Sequence, residues 1–305
     1  MSVRPRFLIL GASGFVGRHL YKRLGPDKAI ATYHSTPADG FVHFDATTMR
    51  LRDTLLKENH GIAAAFLLYG ITKIDTCARE PDRTARVNVD SMLQAIDDLV
   101  EAGVKPVYAS SDAVFDGKRG GWTENDPPNP ILTYGKQKAL VEQHLRAKPP
   151  PWIIARLSKI VGADDDVHSL LGEWIRQIEA AEVIRCATDL VFTPAHVDDA
   201  VDGLVRLAQG PFSGIFNVCG PRSMSRMALL NILLRELRQY RSISPTVVAC
   251  SIRDFNFVEA RPLDGSMLPD KLYDAIGAPF RTMESVCAEL AGERYGEKGL
   301  MRRDG

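Results

Sequence analysis

Three side chains in this sequence have the types and the spacing for carbonyl chemistry. Tyr134 and Lys138 stand four apart in "ILTYGKQKALVEQHL", a stretch with helical patterning, so they share one helix face. Ser111 closes the run "KPVYASS", twenty-three residues before Tyr134. A phenol is a poor acid–base group at neutral pH, with an ordinary pKa of about 10. A neighbouring ammonium favours the phenolate and lowers that value. A hydroxyl from Ser111, with Ser110 beside it, can hold a carbonyl oxygen against the phenol. Reduction of a C=O by hydride needs a donor above the carbon and a proton source on the oxygen. Taken singly, these residues have plainer readings, as a turn cap and as surface neighbours. Their order behind a glycine loop gives them a joint one.

That loop is "LILGASGFVGRHL", with Gly11, Gly14 and Gly17 between an apolar run and a helical one. A backbone that turns sharply and approaches a pyrophosphate cannot carry side chains there, and the helix N-terminus offers unpaired N–H groups to the anion. The spacing is GxxGxxG rather than GxGxxG. The plainer reading is a turn that only packs helix on sheet. The cofactor reading assigns Gly11, Ser13, Gly14, Phe15, Val16 and Gly17 to a dinucleotide, with Tyr69, Tyr134 and Lys138 further along. The second apolar run ends "ATYHSTPADG" and lacks the acidic residue that would bind the ribose hydroxyls of NAD. His34 and Ser35 tolerate a 2′-phosphate, and Arg18 can add charge, so NADP(H) is favoured over NAD(H). Asp45 is placed either against the adenine edge or as an N-cap.

Short apolar runs ("RFLILG", "AIATYHS", "AAFLLYG", "KPVYASS", "WIIARLSKIVG") alternate with helical segments through the first 160 residues. This rhythm predicts an α/β fold: a Rossmann-type doubly wound parallel sheet. "TPAHVDDAVDGLVRLAQG" and "GIFNVCG" read as a helix and a strand returning to that sheet. The expected organisation is a dinucleotide domain over 1–160, rejoined by about 187–221. A smaller discontinuous C-terminal substrate lobe takes 161–186 and 222–305. The loop "DGKRGGWTENDPPNP", 116–130, is expected to wall the site, and the tail "GEKGLMRRDG" to fray.

Composition excludes several classes. Lys+Arg and Asp+Glu both count 38, so there is no basic excess for nucleic acid. The longest apolar runs are too short to span a bilayer, and the N-terminus reads as a buried strand rather than a secretory segment. Five scattered cysteines without a CxxC suggest reduced thiols in a cytoplasmic protein. The histidines, His168 among them, are too dispersed for a metal site. "HVDDAVD" reads as the acidic first turn of a helix. Arg156, Arg185 and Arg261 are candidates for a substrate diphosphate. Helices on the outer face could pair two chains as a homodimer.

The motifs together resemble extended short-chain dehydrogenases/reductases, through GxxGxxG at 11–17, the strand-end serine and YxxxK at 134–138. Within them the closest resemblance is to the dTDP-4-dehydrorhamnose reductase family. "SSDAVFDG", "ITKIDTCAREPDRTARVNV" and "ARPLDGSMLPDKLYDAIG" resemble its segments. The resemblance implies a nucleotide-sugar substrate and an NAD(P)H-dependent reduction of a 4-keto sugar, with Tyr134 as general acid. Lys138 would hold the nicotinamide ribose and Ser111 would orient the carbonyl. Asp112 would stand beside the sugar, and Asn88 would match a structural or cofactor-side asparagine. The pattern departs at Ala113, where the family has tyrosine, at Leu190 and Phe192, and at Lys159, where a tryptophan is expected. Related 4,6-dehydratases carry an Asp-Glu pair after the serine or threonine; here Asp112 is followed by Ala113, which fits reduction better than water loss. A nucleotide-sugar epimerase uses the same trio. The regulatory subunit of methionine adenosyltransferase, which would use the dinucleotide without turnover, resembles the same reductases.

Overall fold

The computed structural model describes residues 6–162 and 169–296. His168 and the tail from residue 297 lie outside them. Seven parallel strands form the central sheet: β1 (Arg6–Leu10), β2 (Ala29–Tyr33), β3 (Val42–His43), β4 (Ile62–Leu67), β5 (Lys105–Ser111), β6 (Ile153–Leu157) and, after three short strands and a fourth, β11 (Gly214–Val218). Their order is β11-β6-β5-β4-β1-β2-β3. The chain runs outward from β1 in one direction and then the other, so the strand order reverses between β1 and β4. In such a sheet the crevice outside the strand C-termini at the reversal is the ligand site.

The alternation of β1 feeds two cores. Phe7 and Ile9 pack into a cluster with α1 (Phe15–Leu24) and α8 (Val197–Gln209). Leu8 and Leu10 pack into another with α5 (Ser91–Glu101) and α6 (Thr133–Arg146). Both faces are thus apolar, as a parallel sheet covered on both sides requires. Helices α2 (Leu55–Glu58), α3 (Ile74–Arg79) and α4 (Pro81–Ala85) complete the N-terminal connections. Between α4 and α5 a π turn, Arg86–Asp90, interrupts the helical path and carries Asn88.

A third apolar cluster, centred on Trp174, lies apart from the sheet. It is built from α7 (Leu170–Glu179), α9 (Arg226–Leu237) and α11 (Met283–Tyr295) with β8 (Ile184–Ala187) and β9 (Val191–Phe192). Strand β8 pairs in parallel with β13 (Val247–Cys250), β9 pairs with β12 (Met224–Ser225), and β7 (Ile160–Val161) pairs with β10 (Ala195–His196). Helix α10 (Asp270–Ile276) returns to β11 and α8. The two-residue strands and the β8–β13 pair carry little periodicity and were not expected.

Candidate active site

A cavity of about 700 Å³ opens at the C-terminal edge of the sheet. Its walls come from the ends of β1 (Gly11), β4 (Leu68, Tyr69), β5 (Ser110, Ser111) and β6 (Ser158, Lys159), from the first turn of α1, and from Tyr134 and Lys138 of α6. Helix α6 can bring Tyr134 this close because residue 135 is glycine. A Cβ there would stand 2.0 Å from the Ala113 carbonyl oxygen. The start of α6 is held by Glu259, whose carboxylate accepts from Thr133 N (3.1 Å) and Oγ1 (2.8 Å). That carboxylate satisfies N–H groups a helix leaves unpaired. It also ties the segment carrying Phe257, Arg261 and Pro262 over the cavity.

The trio converges, with electrostatics that correct one expectation. Lys138 donates to the Ala109 carbonyl at 2.7 Å and lies 5.6 Å from the centre of the Tyr134 ring. Burial pushes its ammonium down to about 8, against the pull of Glu142. The Tyr134 phenol is not lowered by Lys138. Burial, then the charge of Asp112, push it up, with the Ser111 hydroxyl acting the other way. The phenol therefore stays protonated, the form a proton donor needs. Ser111 Oγ donates to Asp112 Oδ1 at 2.9 Å and accepts from Ala113 N at 3.2 Å. Burial pushes the Asp112 carboxyl up to about 6, while Ser111 and Lys159 favour its charged form.

The two serines divide their work. Ser110 donates to buried Glu142 at 2.6 Å, and Glu142 also accepts from Arg156 Nε (3.0 Å) and Nη2 (2.8 Å). Arg156 is fully buried in that pair and against the Phe115 ring, away from the cavity lining, so its assignment to a substrate diphosphate is corrected. The reason is β6: Arg156 lies one residue short of the strand's end and points under α6. Arg185 is also outside the lining; it donates to the Asp254 carbonyl and lies over Phe255. Arg261 does line the cavity, paired with Asp75 at 2.6 Å. Asn88 is structural: it accepts from Ile71 N (2.7 Å) and donates to Ile71 O and Gln137 Oε1, fastening the loop after β4 to α6. The loop 116–130 does not line the cavity either. It packs behind residues 262–267, with Trp122 N donating to Ser266 O.

The residues of the glycine loop fit a dinucleotide. A Cβ at Gly17 would meet the Gly11 carbonyl oxygen at 2.3 Å, and one at Gly11 (φ +86°) would meet Tyr69 N at 2.8 Å. These two glycines serve packing. Gly14 differs: a Cβ there meets only Gly11 O, at 3.4 Å, and otherwise faces open space. Gly14 is also the N-cap of α1, whose first turn has no acidic residue and no side-chain cap. Free N–H groups and an unneutralised helix dipole suit a diphosphate. Phe15, Val16 and Tyr69 line the same wall, whereas Ser13, His34, Ser35 and Asp45 are outside the lining. Asp45 caps its own turn, accepting from Thr47 N (2.9 Å) and Oγ1 (2.7 Å), 4.0 Å from His34.

Two cavity residues escaped the sequence reading as binding groups. Lys159 was visible only as a departure from a tryptophan. Arg226 had no signal, because the antiparallel β9–β12 pair places it.

A family model described as RmlD substrate binding domain matches residues 5–294. Over 227 residues the chain is 27% identical to a probable low-salt glycan biosynthesis reductase of Haloferax volcanii, spanning 71% of this chain and 75% of that one. It is 23% identical to a dTDP-4-dehydrorhamnose reductase of Sinorhizobium fredii (93% and 96% of the two chains). It is 27% identical to the methionine adenosyltransferase 2 subunit beta of Danio rerio (82% and 73%). A crystal structure of dTDP-4-dehydrorhamnose reductase from Bacillus anthracis in complex with NADP superposes with a TM-score of 0.81, at 22% identity, over 96% of this chain and 98% of that one. With the parallel sheet, the glycine loop and the Ser-Tyr-Lys cavity in place, the match across nearly its whole length makes this chain a member of the RmlD substrate-binding family.

Proposed function

We propose that this oxidoreductase reduces the keto carbon of a nucleotide-linked 4-keto sugar, using NADPH in preference to NADH. The observation that carries the reading is the meeting of Ser111, Tyr134 and Lys138 with the α1 glycine loop around one cavity. When bound there, a reduced nicotinamide supplies hydride to the carbonyl carbon. Ser111 donates to the carbonyl oxygen and exchanges Asp112 for that oxygen as its acceptor. Tyr134, held protonated by burial, gives its proton to the same oxygen; an alkoxide is more basic than a phenolate, so the transfer runs downhill. Lys138 has N–H groups left for a ribose diol once the Ala109 carbonyl is satisfied.

A screen of dTDP-, UDP-, GDP- and CDP-linked 4-keto sugars, following NADPH and NADH absorbance, tests the activity. Tyr134→Phe is expected to lower turnover by about 10²-fold or more, in line with loss of a general acid, while still binding NADPH. Normal turnover in that variant would overturn the mechanism.

A second reading has support of its own. Leu190 and Phe192 bring apolar side chains into the cavity, and the methionine adenosyltransferase subunit is among the relatives. A regulatory subunit would bind dinucleotide stoichiometrically and turn over none of the sugars in the screen.

A further inference from the structure

The cavity lining carries two basic side chains, Lys159 and Arg226, that the reduction does not use. Lys159 follows β6 at the sheet edge. The register sets Ser111 beside Leu157, so Lys159 emerges two residues past the serine's strand neighbour. Arg226 opens α9, and its backbone N–H donates to the Leu190 carbonyl at 2.9 Å, which anchors it beside β9. Both side chains line the cavity. The Arg226 guanidinium lies 5.4 Å from the centre of the Trp174 ring, and its Nε is buried without a hydrogen-bond partner. Arg261, also in the lining, has Asp75 as its partner. Lys159 and Arg226 have no ion pair among the described residues. Asp112 and Glu173 come near enough to favour the Lys159 charge, but burial and Arg226 oppose it more strongly.

Among the described residues only the weaker pull of Asp112 and Glu173 offsets these charges, and two like charges sharing a partly desolvated pocket are costly. An arriving oxyanion relieves that cost. The cofactor's diphosphate belongs at the N-terminus of α1. The substrate's own diphosphate hangs from the anomeric carbon, across the ring from a C4 carbonyl. Lys159 stands at the carbonyl end, next to Ser111 and Asp112. We infer that the sugar ring of the substrate itself carries an oxyanion, a carboxylate, seated between Lys159 and Arg226. The inference rests on the nucleotide-sugar reading above and narrows it to nucleotide-linked sugar acids.

Calorimetric titration of the full-length protein with NADP⁺ present tests it. Matched ligands are compared: UDP-glucuronate with UDP-glucose, dTDP-glucuronate with dTDP-glucose, and GDP-mannuronate with GDP-mannose. In at least one pair the sugar acid is expected to bind about ten-fold or more tightly, the scale of a charge-assisted contact. In Lys159→Met and in Arg226→Met, which alter separate elements, that ratio is expected to fall toward one. A ratio near one in the unaltered protein overturns the inference and leaves the nucleotide-sugar reading standing. So does a ratio that survives in both variants while both affinities drop, because the cations would then serve the diphosphate. If no ligand of any pair binds although NADP⁺ does, the nucleotide-sugar reading falls, and this inference with it.

Discussion

Asp112 shows how one side chain reports its surroundings. Its carboxyl has an ordinary value of 3.8 and is pushed up to about 6 by burial in the cavity wall. Between those two values the folded protein holds a proton that the unfolded chain has released. Stability therefore falls as pH rises through that window, and the penalty persists above it. Asp112→Asn is expected to stabilise the protein at pH 7.5, on the order of 1–2 kcal/mol. The gain should shrink as pH is lowered to 5. Urea melts of both proteins at the two pH values check the sign; a gain independent of pH would refute the assignment. The residue type was legible in "SSDAVFDG". Its displaced pKa was not, because desolvation depends on what packs around the carboxylate. The same holds for Tyr134 and Lys138. A neighbouring ammonium was expected to lower the phenol, yet the fold buries Lys138 with its ammonium on a backbone carbonyl and leaves Tyr134 half-buried near the charge of Asp112.

At the scale of elements, all three loop glycines line the cavity, but Gly11 and Gly17 are pressed against backbone while Gly14 has room for a methyl. Gly17→Ala puts a methyl into the Gly11 carbonyl, a backbone atom that cannot turn aside. The expected loss is about 3 kcal/mol, the upper end for overpacking. Gly14→Ala meets that oxygen only at 3.4 Å, an ordinary contact, and its backbone (φ −77°, ψ 171°) suits any residue. Its stability should stay within about 1 kcal/mol, typical of a change at an exposed position. Its NADPH affinity should drop about ten-fold, because the methyl occupies the approach to the helix N-terminus. Thermal melts and cofactor titrations of both variants separate the two roles; equal destabilisation would refute the division. Strand-and-helix rhythm marked this loop well, since its apolar runs are long and bounded by glycines. The two-residue strands β7, β9, β10 and β12 left no such mark. They exist through pairing with distant segments.

Across the whole molecule, the Glu142–Arg156 pair joins α6 to the floor of the sheet beneath the site. Glu142→Gln leaves Arg156 charged and buried, with an expected cost of about 3–5 kcal/mol. Replacing both partners with Leu and Met should recover most of that loss, measured by chemical denaturation. If the double variant is no more stable than the single one, the cost does not come from an uncompensated charge. The sequence by itself determined the parallel α/β architecture, the glycine loop and the Ser-Tyr-Lys trio, because these rest on local periodicity and on residue types at short spacing. Tertiary structure alone decided which arginines reach the cavity: it withdrew Arg156 into the core and delivered Arg226 from a distant helix. A side chain's direction and its partners are set by strand register and by packing between segments far apart in the chain, and neither is written in any local window.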